Sequence, residues 1–323
     1  MASAFYDSCV LFAASDLGIF AKLAELQRAD AGTIAEACSL DQRGARLLLD
    51  ACVALGLLSK AGGKYSNTTE TGMFLVPGAP GDLSGAIRYN RDVYGAWGQL
   101  AGLVRTGKPV ERPEVHLGED QDRTRTFVLS MHGRALGIGR AVVPQLELAE
   151  RKKLFDVGGG PGTYSVLIAQ ANPGIECTVL DLPEVVKVAD ELIADAGMQD
   201  RVSTVGGDYH DYAFPVGMDV VNFFGVLHQE SPESILALFK RAYESLAPGG
   251  LVHVLDMMTD GTHTRPKFSA LFAVNMALTT RSGWVFSDEE LAGWLKEAGF
   301  EDFACGPLPP PMPHWLAVAR KPD

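Results

Sequence analysis

The sequence has little of what would set it apart from ordinary globular proteins. No charge-free stretch is long and unbroken enough to span a bilayer: the one between Asp302 and Arg320, for instance, is interrupted by five prolines. No basic residue precedes the first apolar run, since Asp7 comes before any Lys or Arg, so a secretory leader is not expected. Five scattered cysteines (Cys9, Cys38, Cys52, Cys177, Cys305) form no C-x-x-C pair, which argues against a disulfide framework or a zinc knuckle. They are expected to be buried thiols of a cytoplasmic protein. Positive charge is scarce: 28 Lys and Arg against 40 Asp and Glu leave a net charge of −12, a field that repels nucleic acid and anionic membranes. The 323 residues, 47% hydrophobic and 21% charged, suffice for a sizeable core and for about two domains.

The chain has two textures. Up to about residue 105 apolar residues recur at helical spacing, and Leu11, Phe12, Leu17, Ile19, Phe20 and Leu23 predict an amphipathic helix. Thr33 with Glu36 reads as a capping box opening a short helix, Asp41 caps a second one, and Gly56 ends it. Residues 57–60 and 64–67 flank Ala61-Gly62-Gly63, the signature of a small hairpin. Helix, helix, hairpin is a winged-helix order. Residues 106–125, dense in Pro, Gly and charge (Lys108, Pro109, Glu111, Arg112, Pro113, Gly118), read as a connection. The expected division is a mostly helical domain over 1–105, connecting helices over 106–150 and a larger domain over 151–323.

In that larger domain strands and helices alternate. Strands are predicted at 153–157, 177–181, 202–205, 218–224 and 251–256 with helical segments between them, the pattern of a doubly wound α/β fold with a mostly parallel sheet. Two last strands, near 300–305 and 314–319, are joined through Pro307 to Pro313 without a helix and should close the sheet as an antiparallel pair.

Asp156-Val157-Gly158-Gly159-Gly160-Pro161-Gly162 follows the first of these strands and precedes a helical run, where glycines let backbone approach a ligand. The dinucleotide fingerprint would need glycine at Thr163, and no Gly-Lys-Ser/Thr follows for a phosphate loop. Asp181 closes the second strand, where a carboxylate can accept both ribose hydroxyls, and Asp208 closes the third. Two carboxylates without a phosphate cradle suit an adenosine-bearing cation better than a pyrophosphate.

With residues 154–162, Asp181-Leu182-Pro183, Gly207-Asp208, Leu227-His228 and Ala247-Pro248-Gly249-Gly250, the chain resembles the S-adenosylmethionine-dependent small-molecule O-methyltransferases of the caffeate and acetylserotonin type. The resemblance covers nearly the whole chain. It implies a Rossmann-like methyltransferase domain preceded by a winged-helix-like domain that forms a homodimer. It also implies S-adenosylmethionine as cofactor, with Gly158 and Gly160 near its methionine end, Asp181 and Leu182 at the ribose, and Asp208 with Tyr209 at the adenine.

Methyl transfer to oxygen is an in-line displacement, so positioning does much of the catalysis and a neutral hydroxyl acceptor needs a base. His228, following the fourth strand at the carboxyl edge of the sheet, is the candidate, and by resemblance it occupies the family's catalytic histidine. The surroundings depart from the family: His-Asp-Trp is His228-Gln229-Glu230, and the acid expected on the fifth strand is Asp256, shorter than the usual glutamate. A further glutamate is replaced in the run Trp284-Val285-Phe286. A base held by fewer acids suits an acidic phenol, or transfer to carbon or nitrogen. Phe127 and Met131 resemble the family's Phe-x-x-x-Met helix, and Met276 falls where methionines line the acceptor, a small and largely apolar aromatic or polyene-like metabolite. His132, Asn275 and Trp284 are polar-capable neighbours. No carboxylate cluster beside His228 offers a metal site, and His210, His253, His263 and His314 lack ligand spacing and read as structural or exposed. Two other readings stay open: a relative with altered chemistry, such as a hydroxylase or cyclase, and a winged-helix regulator. Against the second, residues 41–57 carry only Arg43 and Arg46 against Asp41 and Asp50.

Overall fold

Gly18 interrupts the first helical stretch, because its φ of +67° lies in the left-handed region that side-chain-bearing residues avoid. The computed structural model, which describes residues 1–79, 81–112, 114, 118–310 and 312–323, therefore has two helices where one was expected. These are α1 (Phe5–Asp16) and α2 (Ile19–Leu26). Pro113 of the expected connection lies outside the described residues. The chain forms two compact units, Met1–Tyr94 and Gly95–Asp323.

In the first unit β1 (Ala29–Asp30), α3 (Ala31–Ala37), α4 (Gln42–Ala54), β2 (Leu58–Ala61), β3 (Lys64–Asn67) and α5 (Thr69–Phe74) follow, with α6 (Ser84–Trp97) running out of it. The cap of α3 is Asp30 and not Thr33. Asp30 keeps extended dihedrals and its Oδ1 accepts the Thr33 N–H at 2.9 Å, so Thr33 already lies inside the helix. Asp41 caps α4 as expected, accepting the Gly44 N–H at 2.7 Å. The hairpin of β2 and β3 gains β1 as a third strand, in the order β1-β3-β2. Ile19, Phe20, Leu23, Ile34, Leu49, Cys52, Leu58 and Tyr65 are buried together beneath it.

The second unit opens with α7 (Leu100–Thr106) and α8 (Gln121–Val142). Then come β4 (Lys153–Val157), α9 (Thr163–Ala171), β5 (Glu176–Asp181), α10 (Pro183–Asp195), β6 (Val202–Gly206), β7 (Met218–Phe224) and α11 (Pro232–Ser245). The chain ends through β8 (Leu246–Asp256), α12 (Lys267–Thr279), α13 (Asp288–Glu297), β9 (Glu301–Pro307) and β10 (Trp315–Arg320). The seven strands lie in the order β6-β5-β4-β7-β8-β10-β9. Strands β4 to β8 pair in parallel, whereas β10 runs antiparallel to both its neighbours, as the proline-rich connection predicted. Alternate residues serve opposite faces: Phe155 and Val157 pack with Phe223, Phe239 and Leu238, while Leu154 packs with Val166, Ile168 and Ile193. All five cysteines are unpaired, but only Cys52 and Cys177 are buried; the other three are half-buried, Cys9 within α1, Cys38 just past the end of α3 and Cys305 on the edge strand β9. Among the described residues no helix is long and apolar enough to cross a membrane.

Phe239 is fully enclosed between the sheet and α11, whereas Val216 is 80% exposed. Phe239→Ala should destabilise the second unit by about 3 to 5 kcal/mol and Val216→Ala by under about 0.5 kcal/mol. Urea unfolding followed by fluorescence checks this, and equal midpoints for the two variants would refute the assigned core.

Candidate active site

The strand order reverses between β4 and β7, and ligands of open α/β sheets bind at that reversal, beyond the carboxyl ends of the strands. Two loops meet there. Gly158 has a φ of +65°, and a Cβ on it would stand 2.7 Å from Val226 Cγ2 and 3.6 Å from the Tyr209 ring. The loop after β4 thus lies directly against the loop after β7, two residues before His228, in a cradle that any side chain at 158 would fill.

Asp181, at the end of β5, is fixed by the same loop: Oδ2 accepts the Gly160 N–H and Oδ1 the Leu182 N–H, both at 2.7 Å. Each oxygen keeps a lone pair for a hydroxyl donor, which is what a ribose diol presents. Its carboxyl is enclosed by protein although an edge reaches solvent, and desolvation pushes it up to about 6 against the two backbone N–H bonds. Asp156, wholly buried at the end of β4, is likewise pushed up to about 6, first by desolvation and further by the charge of Asp181, with the 2.6 Å bond from Ser165 Oγ opposing. Its Oδ1 has no partner among the described residues. These features, an open glycine cradle and a carboxylate with free lone pairs, fit an adenosine-bearing group.

Asp208 is exposed and accepts the His210 N–H at 2.9 Å. Tyr209 turns the other way: its hydroxyl donates to Glu230 Oε1 at 2.5 Å, and Ser234 Oγ donates to Glu230 Oε2 at 2.5 Å. Glu230 was not singled out from the sequence as a site residue. It is buried, and it ties the loop after β6 to the turn that carries His228.

His228 sits in the turn that follows β7. Nδ1 meets Asp256 Oδ1 at 2.6 Å and the His228 backbone N–H reaches Asp256 Oδ2 at 3.2 Å. A carboxylate only accepts, so the proton of a neutral ring sits on Nδ1 and Nε2 is the basic nitrogen. Phe272 of α12 meets the imidazole edge to face at 5.1 Å.

The residues expected to line the acceptor lie on two helices, α8 and α12. Phe127 packs on α8 and α10 beside Val128, Val185 and Leu182, Met131 is half-buried one turn further along α8, and Met276 is buried on α12. His132 Nδ1 meets Thr163 Oγ1 at 2.7 Å, Asn275 Oδ1 accepts the Trp97 indole N–H at 2.9 Å, and the Trp284 indole donates to the Glu230 carbonyl at 3.0 Å. His253 is buried beside Asn222, its imidazole pushed down to about 4 chiefly by desolvation. Among the described residues no three His, Cys, Asp or Glu side chains are placed to hold a metal ion.

Residues 110–301 match the O-methyltransferase domain family and residues 1–77 the O-methyltransferase dimerisation domain. The chain is 31% identical to the 3-hydroxy-5-methyl-1-naphthoate 3-O-methyltransferase of Streptomyces sahachiroi, over 93% of this chain and 87% of that protein. It is 32% identical to the tetracenomycin polyketide synthesis 8-O-methyl transferase TcmO of Streptomyces glaucescens, over 99% of this chain and 94% of the other. The crystal structure of human N-acetylserotonin methyltransferase in complex with S-adenosylmethionine superposes with a TM-score of 0.91 at 28% identity, covering 100% of this chain and 96% of that one.

The two buried carboxyls make the unliganded protein sensitive to pH. A group raised from 3.8 to about 6 favours folding while protonated, so its contribution is complete below about pH 4 and is lost as pH rises through about 6. Asp156→Asn, which still accepts from Ser165 but cannot ionise, should flatten the fall in melting temperature across that window. An unchanged slope in thermal melts of the unliganded variant would show that Asp156 does not titrate there.

Proposed function

The chain belongs to the O-methyltransferase family that carries an N-terminal dimerisation domain, and from that membership we propose how its residues divide the transfer of a methyl group to a hydroxyl. The enzyme depends on S-adenosylmethionine, which when bound supplies the methyl as a sulfonium leaving group. The glycine loop, with Gly158 and Gly160, takes the methionine end, Asp181 and the Leu182 backbone fix the ribose, and Asp208 with Tyr209 border the adenine. His228 accepts the acceptor's hydroxyl proton at Nε2 while Asp256 holds the ring by Nδ1 and balances the charge it gains. Phe127, Met131 and Met276 line the path of a small, flat, aromatic hydroxyl compound. The naphthoate and polyketide acceptors named for the two bacterial relatives support that class.

The observation that carries this reading is the contact of Val226 with Gly158, because it sets a histidine and its carboxylate two residues from the cofactor cradle. In-line displacement needs that closeness, since most of its acceleration comes from holding the reacting atoms in place. We also place the protein in the cytoplasm as a homodimer joined through its first unit, which we read as winged-helix-like. Five unpaired cysteines and a match to the dimerisation domain support this.

Asp181→Ala should weaken S-adenosylmethionine binding by about 2 to 4 kcal/mol, as two charge-assisted hydrogen bonds are lost. An unchanged dissociation constant in calorimetry would remove Asp181 from the ribose site. His228→Ala should lower kcat with a phenolic acceptor by about 10² to 10⁴ while cofactor affinity holds. Wild-type turnover in that variant would reduce His228 to a bystander.

A further inference from the structure

The bond between Nδ1 and Asp256 holds the His228 ring at one end only. A hydrogen bond keeps most of its strength over about 30° of tilt, whereas a group that takes a proton must be aimed within roughly 10 to 20°. The turn around the ring is fixed by main chain: the His228 N–H reaches Asp256 Oδ2, and the Trp284 N–H donates to the His228 carbonyl at 2.9 Å. Those bonds leave the imidazole free to tilt about its own side-chain bonds. Among the described residues Asp256 is the one carboxylate paired with it, and Val285, where a further glutamate is expected, brings no charge.

Phe272 supplies a second contact. Its ring centre lies 5.1 Å from that of the imidazole with 79° between the planes. Phe268, one turn earlier on α12, lies nearly parallel to it, at 6.5 Å and 11°, and Met276, one turn later, is buried on the same face of the helix. The helix is itself anchored: Asn275 accepts the Trp97 indole N–H at 2.9 Å, and the Leu278 carbonyl accepts the Val110 N–H at 2.9 Å. Beyond α12 the chain returns over the turn, where a Cβ on Gly283 would stand 2.9 Å from the His228 carbonyl oxygen and 3.1 Å from Met276 Cβ. Helix α12 cannot draw back from the imidazole without disturbing the segment that grips the His228 carbonyl.

We propose that Phe272 is a positioning residue for methyl transfer: its ring blocks the tilt that the Asp256 bond permits and keeps Nε2 aimed at the acceptor hydroxyl. Edge-to-face packing suits the task, because it is selective for ring orientation where aliphatic contact is not. The inference rests on the reading of His228 as the base. Phe272 then matters in proportion to what is asked of that base. A weakly acidic hydroxyl depends on it, and an acceptor that arrives already ionised does not. A side chain that only lined the acceptor would serve both alike.

Spectra and rates on the full-length protein test this. In the S-adenosylhomocysteine complex without acceptor, nitrogen–proton NMR should show His228 held as one species with its proton on Nδ1. Phe272→Leu should shift or broaden the ring signals and admit the other tautomer, and Phe272→Tyr, which keeps the ring, should restore them. Phe272→Met, closer in volume, takes the place of Phe272→Leu where the latter lowers the melting temperature. With a naphthol as acceptor Phe272→Leu should lower kcat by about 10-fold while S-adenosylhomocysteine affinity holds. The loss should vanish with a nitrophenol ionised at the assay pH, and in the His228→Ala background it should vanish with either acceptor. An equal loss in that background, or an equal loss with both acceptors, overturns the proposal and leaves Phe272 as acceptor wall. Unaltered His228 signals in the variant with a wild-type melting temperature overturn it as well. Full turnover in His228→Ala would instead refute the base, and the spectra would still decide whether Phe272 orients the ring.

Discussion

The sheet grows outward from β4 through β5 to β6 and then returns to place β7 on the other side of β4. Right-handed crossovers send the helices of the two directions to opposite faces, so α9 packs its Val166 and Ile168 on one face and α11 its Ile235 and Phe239 on the other. The loops that lead into those helices must separate, and backbone from several strands converges at the space between them. The glycine loop, the Asp181 corner, the turn of His228 and the end of β8 with Asp256 all open onto it. Fixing the strand order thus fixes which residues can meet.

Convergence has an electrostatic cost, because it brings Asp156, Asp181, Glu230 and Asp256 to one edge of a low-dielectric core. Three of them are held by donors fixed in place beforehand: Asp181 by two backbone N–H groups, Glu230 by two hydroxyls, and Asp256 by an imidazole and backbone N–H groups. Such donors need no rearrangement when a ligand arrives, which favours tight binding at the expense of the unliganded protein's stability. Asp156 is the exception, with one hydroxyl donor and a bare Oδ1. It lies under the glycine loop, where a Cβ on Gly159 would stand 2.7 Å from its Oδ2, and the charge of Asp181 adds to the push that burial exerts on it.

Much of this was legible in the sequence where the signal is local. Runs of alternating apolar residues gave the strands, Gly158 to Gly162 gave the loop, and Asp181 followed at the spacing a ribose acid requires. The antiparallel pair at the end was readable from prolines that leave no room for a helix. Local reading failed where a competing neighbour won: Leu17 and Ile19 kept the helical period although Gly18 had already broken it, and Asp30 took the cap that Thr33 resembled. Contacts across the fold left no pattern to read. Glu230 meets Tyr209 from 21 residues away, and the Trp97 indole meets Asn275 from 178.

The departures around His228 change how the histidine is held more than whether it is held. Asp256 is shorter than the family's glutamate, yet it clasps one residue twice, at the ring and at the backbone N–H, so the turn itself is drawn to the end of β8. Where a second acid would come, Val285 is buried and supplies no charge. That segment grips by its neighbour instead: the Trp284 N–H donates to the His228 carbonyl at 2.9 Å and its indole to the Glu230 carbonyl at 3.0 Å. Orientation is therefore secured by main chain, while the imidazolium formed on proton removal has one carboxylate to stabilise it rather than two. On the proposed role of His228, that balance favours acceptors whose hydroxyl is already acidic, because they ask less of the base. A conjugated phenol, its charge spread over an aromatic system and its flat face suited to Phe and Met side chains, meets both conditions at once.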